Sequence, residues 1–71
     1  MLLLLQQKFL IMTYFELYRL LEKNGWNLKR TGGHKIYVHP DFAKPLPVPN
    51  HPGAEVPKGT LNQIIKRAGL K

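Results

Sequence analysis

Histidine is the side chain best suited to exchange protons near neutral pH, and the chain has three, His34, His39 and His51. His34 has the least expected surroundings. Within KRTGGHKIYVHP, residues 29 to 40, it follows Gly32 and Gly33 directly, and Lys29, Arg30 and Lys35 lie on either side. A turn needs the glycines, and a strand needs Ile36 and Val38. Neither needs a histidine at the junction. An imidazole beside several cations suits phosphodiester chemistry. The ring takes or gives a proton, while the cations hold the phosphate and stabilise the charge that develops on it. A strand-end histidine bonded to its neighbours has the same local sequence, and spacing alone does not favour the chemical reading.

The other two histidines are weaker candidates. His51 lies in the loop NHPGAE and is a candidate auxiliary group, although a loop histidine before proline is usually structural. His39 precedes Pro40, where a packing or surface role is expected. His39 and Asp41 lack a third ligand for a metal ion, so no metal and no cofactor are expected.

These residues sit in a small, basic chain of 71 residues, near the lower limit for a single apolar core. Eleven basic residues against four acidic ones give a net charge of +7, which points to a polyanionic partner. Nucleic acid, an anionic membrane surface or an acidic protein would each fit. Without cysteine there is no disulfide scaffold and no thiolate metal site, and a reducing cytoplasm is compatible. The opening MLLLLQQKFLIM is broken by Gln6, Gln7 and Lys8. It is too short to span a bilayer, which takes about 20 apolar residues, and it lacks the flanks of a signal peptide. Residues 1–12 are therefore read as a dispensable extension, with Met12 as a second start, and residues 13–71 as the domain.

TYFE, residues 13 to 16, matches a capping box. Leu17, Leu20 and Leu21 follow at helical spacing, flanked by Tyr14 and Tyr18, which predicts a helix over 14–23 ended by Asn24 and Gly25. WNLKR, from 26 to 30, reads as a strand with Trp26 and Leu28 on one face. TGG is a hairpin turn whose glycines would accept positive φ. HKIYVH, from 34 to 39, is the second strand, with His34, Ile36 and Val38 sharing one parity. KPLPVPN reads as an edge strand, because prolines at 45, 47 and 49 leave their missing donors on one side. Pro57 then suits the first position of a second helix, with Leu61, Ile64, Ile65 and Ala68 on one face and a stop at Gly69. The order predicts an α+β fold, a small three-stranded antiparallel sheet with two helices on one face.

Such a meander brings His34 near Pro49, Asn50 and His51, with Lys29 and Arg30 arriving from strand one. Lys58 and Gly59 at the start of the second helix offer free amides that favour a phosphate. Trp26, Tyr37 and Phe42 are read as packing residues rather than base-stacking platforms.

At LLEKNGW, GGHKIYVHP, VPNH and VPKGTLNQIIKRAGL, covering nearly everything after Met12, the chain resembles the HicA (YcfA-like) toxins of bacterial toxin–antitoxin systems. The resemblance implies a double-stranded-RNA-binding-domain-like fold and metal-independent mRNA cleavage by a Gly-x-His motif. It also implies neutralisation by a HicB-type antitoxin, and hence a cytoplasmic protein with no membrane role. The motif falls on Gly32, Gly33 and His34. Family members commonly carry Ser where this chain has Gly33, and often a second His where it has Lys35; both departures bear on how the imidazole is oriented. Lys29, Arg30, Gly32, Gly33, Lys35 and Lys58 are the expected RNA- and phosphate-binding residues. The competing readings are a non-catalytic RNA-binding module and a basic domain that only docks an acidic protein.

Overall fold

The computed structural model describes residues 11–70, so the reading of residues 1–12 as an extension lies, for its first ten residues, outside the described part. Helix α1, Tyr14–Lys23, starts at the expected capping box. The Thr13 hydroxyl accepts from the Glu16 N–H at 3.2 Å, and the Glu16 carboxylate accepts from the Thr13 N–H at 2.9 Å. The helix ends in a Schellman motif, with the Gly25 N–H donating to Glu22 and the Trp26 N–H donating to Leu21. Gly25 has φ of 94°, and a Cβ there would stand 2.7 Å from His39 Nε2. Backbone and space both require glycine.

Three strands follow, β1 (Asn27–Thr31), β2 (His34–His39) and β3 (Phe42–Pro49), in the spatial order β1-β2-β3 with both pairs antiparallel. Helix α2, Lys58–Arg67, completes the α-β-β-β-α order. It too ends in a Schellman motif, with Gly69 at φ 72° and the Leu70 N–H donating to Ile65 at 2.9 Å. One apolar cluster joins Leu17 and Leu21 of α1, Leu61 and Ile64 of α2, and Tyr37, Leu46 and Val48 of the sheet. Because Tyr37 pairs with Leu46 and Lys35 with Val48, these sheet residues share one face, and both helices cover it. Each fully buried aliphatic side chain here contributes about 1.5–3 kcal/mol relative to exposure. Trp26, Tyr37 and the helix stripes are core, as the packing reading expects.

Several details differ from the pattern in the sequence. Trp26 lies before β1 rather than in it, because its N–H is taken by the helix stop. Leu28 is not buried beside it but 41% exposed. A bulge between Leu28 and Arg30 breaks the alternation, so Leu28 pairs with Tyr37 while Arg30 pairs with Ile36. β3 begins at Phe42, two residues before the expected run, because Pro40 and Asp41 make a tight turn of their own. Pro47 and Pro49 sit opposite Ile36 and His34, so their missing donors face away from β2. Pro45 falls in a second irregularity, between the Tyr37–Leu46 and His39–Phe42 pairs. Pro57 is the N-cap of α2 rather than its first residue, since its carbonyl already accepts from the Leu61 N–H at 2.8 Å.

Candidate active site

The β1–β2 turn is the pair Gly32–Gly33, between Thr31 and His34. Neither glycine has positive φ, contrary to the turn expected from their sequence. The turn is held instead from across the sheet. The Asn50 Nδ2 donates to the Gly32 carbonyl at 2.9 Å, and the Asn50 N–H donates to the Gly33 carbonyl at 3.2 Å. Within the turn the Gly32 N–H donates to the His34 carbonyl at 3.0 Å. A Cβ at Gly33 would meet nothing within 4 Å, so a side chain there would not clash at its first atom.

His34 begins β2 opposite Pro49. It is exposed, on the sheet face that the helices leave open, and its ring makes no hydrogen bond among the described residues. Ile36 shares this face, and the β1 bulge turns Arg30 onto it, directly opposite Ile36 and diagonal to His34. Sequence alternation alone would have sent Arg30 to the other face. Lys29 is the extra residue of the bulge, exposed next to Arg30.

Lys35 does not join this group. It points to the helix side, where its Nζ sits 4.9 Å from the centre of the Tyr18 ring. Lys58 is exposed at the first turn of α2. The loop before it follows the start of α1: the Val56 N–H donates to the Met12 carbonyl at 2.8 Å, and Thr13 bridges to Glu55. No hydrogen bond among the described residues joins Lys58 to the hairpin turn. His51 is exposed next to Asn50, its ring 6.2 Å from Tyr14 in an edge arrangement. It directly follows Asn50, which bonds the turn, but its ring packs toward α1.

Sequence reasoning places Asn50 near His34 without giving it a bond to the turn, and it gives Tyr18 no place at the site. The Tyr18 hydroxyl donates to the Pro49 carbonyl and accepts from the His51 N–H at 3.1 Å. Burial pushes its pKa up, with the His51 backbone bond pulling the other way. Spacing marks Tyr18 only as a flank of the α1 stripe. Asn50 could be found only by pairing β3 with the turn, since its partner lies 18 residues away.

A cleft of about 1180 Å³ opens beside α1, lined by Phe15, Tyr18, Arg19, Lys35, Tyr37 and Asn50, on the side of β2 away from His34. His34 itself stands on an open surface. That placement suits a polymeric strand laid across the sheet better than a small substrate, which takes a concave pocket. His39, at the other end of β2, is part of the packing. Its ring lies 5.2 Å from Trp26 and 5.0 Å from Phe42. Among the described residues, no group of three His, Cys, Asp or Glu side chains is placed to hold a metal ion. No helix of the described residues is long and apolar enough to cross a membrane.

Residues 15–70 match the family described as HicA toxin of bacterial toxin-antitoxin. No curated protein matches the chain.

Proposed function

Because the chain belongs to the HicA toxin family of bacterial toxin–antitoxin systems, we propose that it is the RNA-cleaving member of such a pair, with His34 as the proton-transfer residue. Membership implies an antitoxin partner; we take that partner to be of the HicB type and the substrate to be cytoplasmic mRNA. The observation that carries the reading is the placement of His34. It is an exposed imidazole at the mouth of a Gly-Gly turn, on the uncovered sheet face, with a guanidinium brought to the same face by a bulge.

In this mechanism the phosphate lies over the open face, held by Arg30 and Lys29, which neutralise charge as it builds on the phosphoryl oxygens. The His34 imidazole takes the proton of the neighbouring 2′-hydroxyl. That oxygen attacks the adjacent phosphorus, the bond to the 5′-oxygen breaks, and the departing oxygen takes a proton from water. The products are a 2′,3′-cyclic phosphate and a 5′-hydroxyl. The proton passes through His34 rather than through a metal-bound water, so cutting is expected to survive EDTA.

The test compares purified wild type and His34→Ala on an RNA oligonucleotide and on its twin with one 2′-deoxy residue at the mapped site. Wild type should cut only the all-ribose strand, with EDTA present. His34→Ala should cut neither and should melt like wild type, because an exposed side chain contributes little to the core. Equal cutting of both strands, or a folded His34→Ala that still cuts, would overturn the assignment.

A further inference from the structure

We propose that Asn50 is a positioning residue for His34, fixing the Gly32–Gly33 turn from the end of β3. The inference rests on the RNA-cleaving reading above. Two adjacent glycines are the least constrained backbone a chain can supply. Here they do not take the left-handed φ that makes a tight two-residue hairpin self-supporting. The turn has open space on the side a Cβ would take, since one at Gly32 or Gly33 would meet no atom within 4 Å. Its shape therefore depends on hydrogen bonds. Asn50 supplies two of them immediately before the histidine: its side-chain amide, which Asn50→Ala removes, donates to the Gly32 carbonyl at 2.9 Å, and its backbone N–H donates to the Gly33 carbonyl at 3.2 Å.

Asn50 is in turn anchored on both sides. The carbonyl of Pro49 and the N–H of His51 both bond the Tyr18 hydroxyl, and Tyr18 is buried in α1 at 5% exposure. A continuous series of hydrogen bonds thus runs from the buried helix through Tyr18 and residues 49–51 to the carbonyls of the turn that precedes His34. Asn50 acts through the backbone of the turn, so it should influence how His34 is aimed rather than how tightly RNA is held.

Single-turnover cleavage and RNA affinity separate these two effects, measured on wild type, His34→Ala, Asn50→Ala and Asn27→Ala. Asn27 is the control, because its Nδ2 also donates to a glycine carbonyl, that of Gly25 at 3.3 Å, at the other end of the sheet. Asn50→Ala should lower the cleavage rate about tenfold or more, since a misplacement of about 1 Å costs on the order of a hundredfold. Its RNA affinity should stay within about twofold, while Asn27→Ala should cut at the wild-type rate. Should Asn50→Ala fail to fold, Tyr18→Phe decides: it keeps the ring, removes the anchor and should lower the rate in the same way. If Asn50→Ala cuts like wild type while His34→Ala is inactive, the positioning role is wrong and the cleavage reading stands. Lost affinity at an unchanged rate would also overturn it, making Asn50 an RNA contact. If wild type does not cut, or His34→Ala cuts normally, the underlying reading fails, and this inference with it.

Discussion

His34 and His39 begin and end the same strand, yet their rings stand in opposite settings. The Asp41 N–H donates to His39 Nδ1 at 3.0 Å, and Nε2 lies 3.0 Å from the Asn24 carbonyl, which can only accept. That network assigns a neutral ring with its proton on Nε2. Both nitrogens are committed, and the ring joins the end of α1 to the β2–β3 turn. His34 has no such commitments among the described residues, which is the condition for handling a substrate's proton. Tyr37 is a third polar group worth testing. Its ring is fully buried, and its hydroxyl finds no hydrogen-bond partner among the described residues. Burial pushes its pKa up to about 12 from 10.0, with the charge of Glu22 adding to the effect. A folded pKa above the unfolded one means that the protonated phenol contributes stability fully below pH 10 and loses it as pH rises through 12. In melts from pH 9 to 12, wild type should therefore lose Tm more steeply than Tyr37→Phe. At neutral pH, Tyr37→Phe should melt no lower than wild type, since an unpartnered buried hydroxyl costs about 1–3 kcal/mol. Parallel alkaline slopes for the two proteins would show that Tyr37 titrates normally.

The elements follow from local signals wherever a signal is local. Thr13 and Glu16 start α1, Gly25 and Gly69 stop the two helices, and the apolar spacings place their buried faces. Gly25→Ala measures one such signal. It forces a Cβ into left-handed backbone, at about 1–2 kcal/mol, and sets that atom 2.7 Å from His39 Nε2. A loss of about 2 kcal/mol or more is expected, read as a clear drop in Tm; an unchanged Tm would mean that the helix stop relaxes freely. The sheet was less legible, because its exceptions depend on partners. Alternation could not reveal the bulge that separates the faces of Leu28 and Arg30. The tight Pro40–Asp41 turn, which lets β3 begin at Phe42, was likewise hidden. The same holds at the site. That Lys29 and Arg30 lie close to the Gly32–Gly33–His34 turn could be read from the sequence, while the face Arg30 takes could not. The face taken by Lys35 and the hydrogen bonds made by Asn50 and Tyr18 depend on register, which one sequence does not display.

For the molecule as a whole, charge and shape divide the work between two faces. One face carries the helices and the core. The other carries His34 of β2 and Arg30 of the edge strand β1, with Lys29 next to it on β1, in a chain of net charge +7. RNA affinity, measured with His34→Ala, should fall linearly in log–log form as salt rises, with a slope of about −0.7 for each phosphate neutralised on a single strand. Arg30→Ala should reduce that slope by roughly one phosphate's share. Lys35→Ala should change it little, because that ammonium is held over Tyr18 on the opposite face. Equal slope changes for the two variants would place RNA on both faces. The borders of the sheet have a further consequence. Growth of a cross-β stack requires every unit to pair on both sides. Here the free border of β3 carries Pro47 and Pro49, with no amide to give at either position. Two copies that met through β1 would present only proline borders outward, so self-association by strand pairing would terminate at the dimer rather than propagate into a fibre.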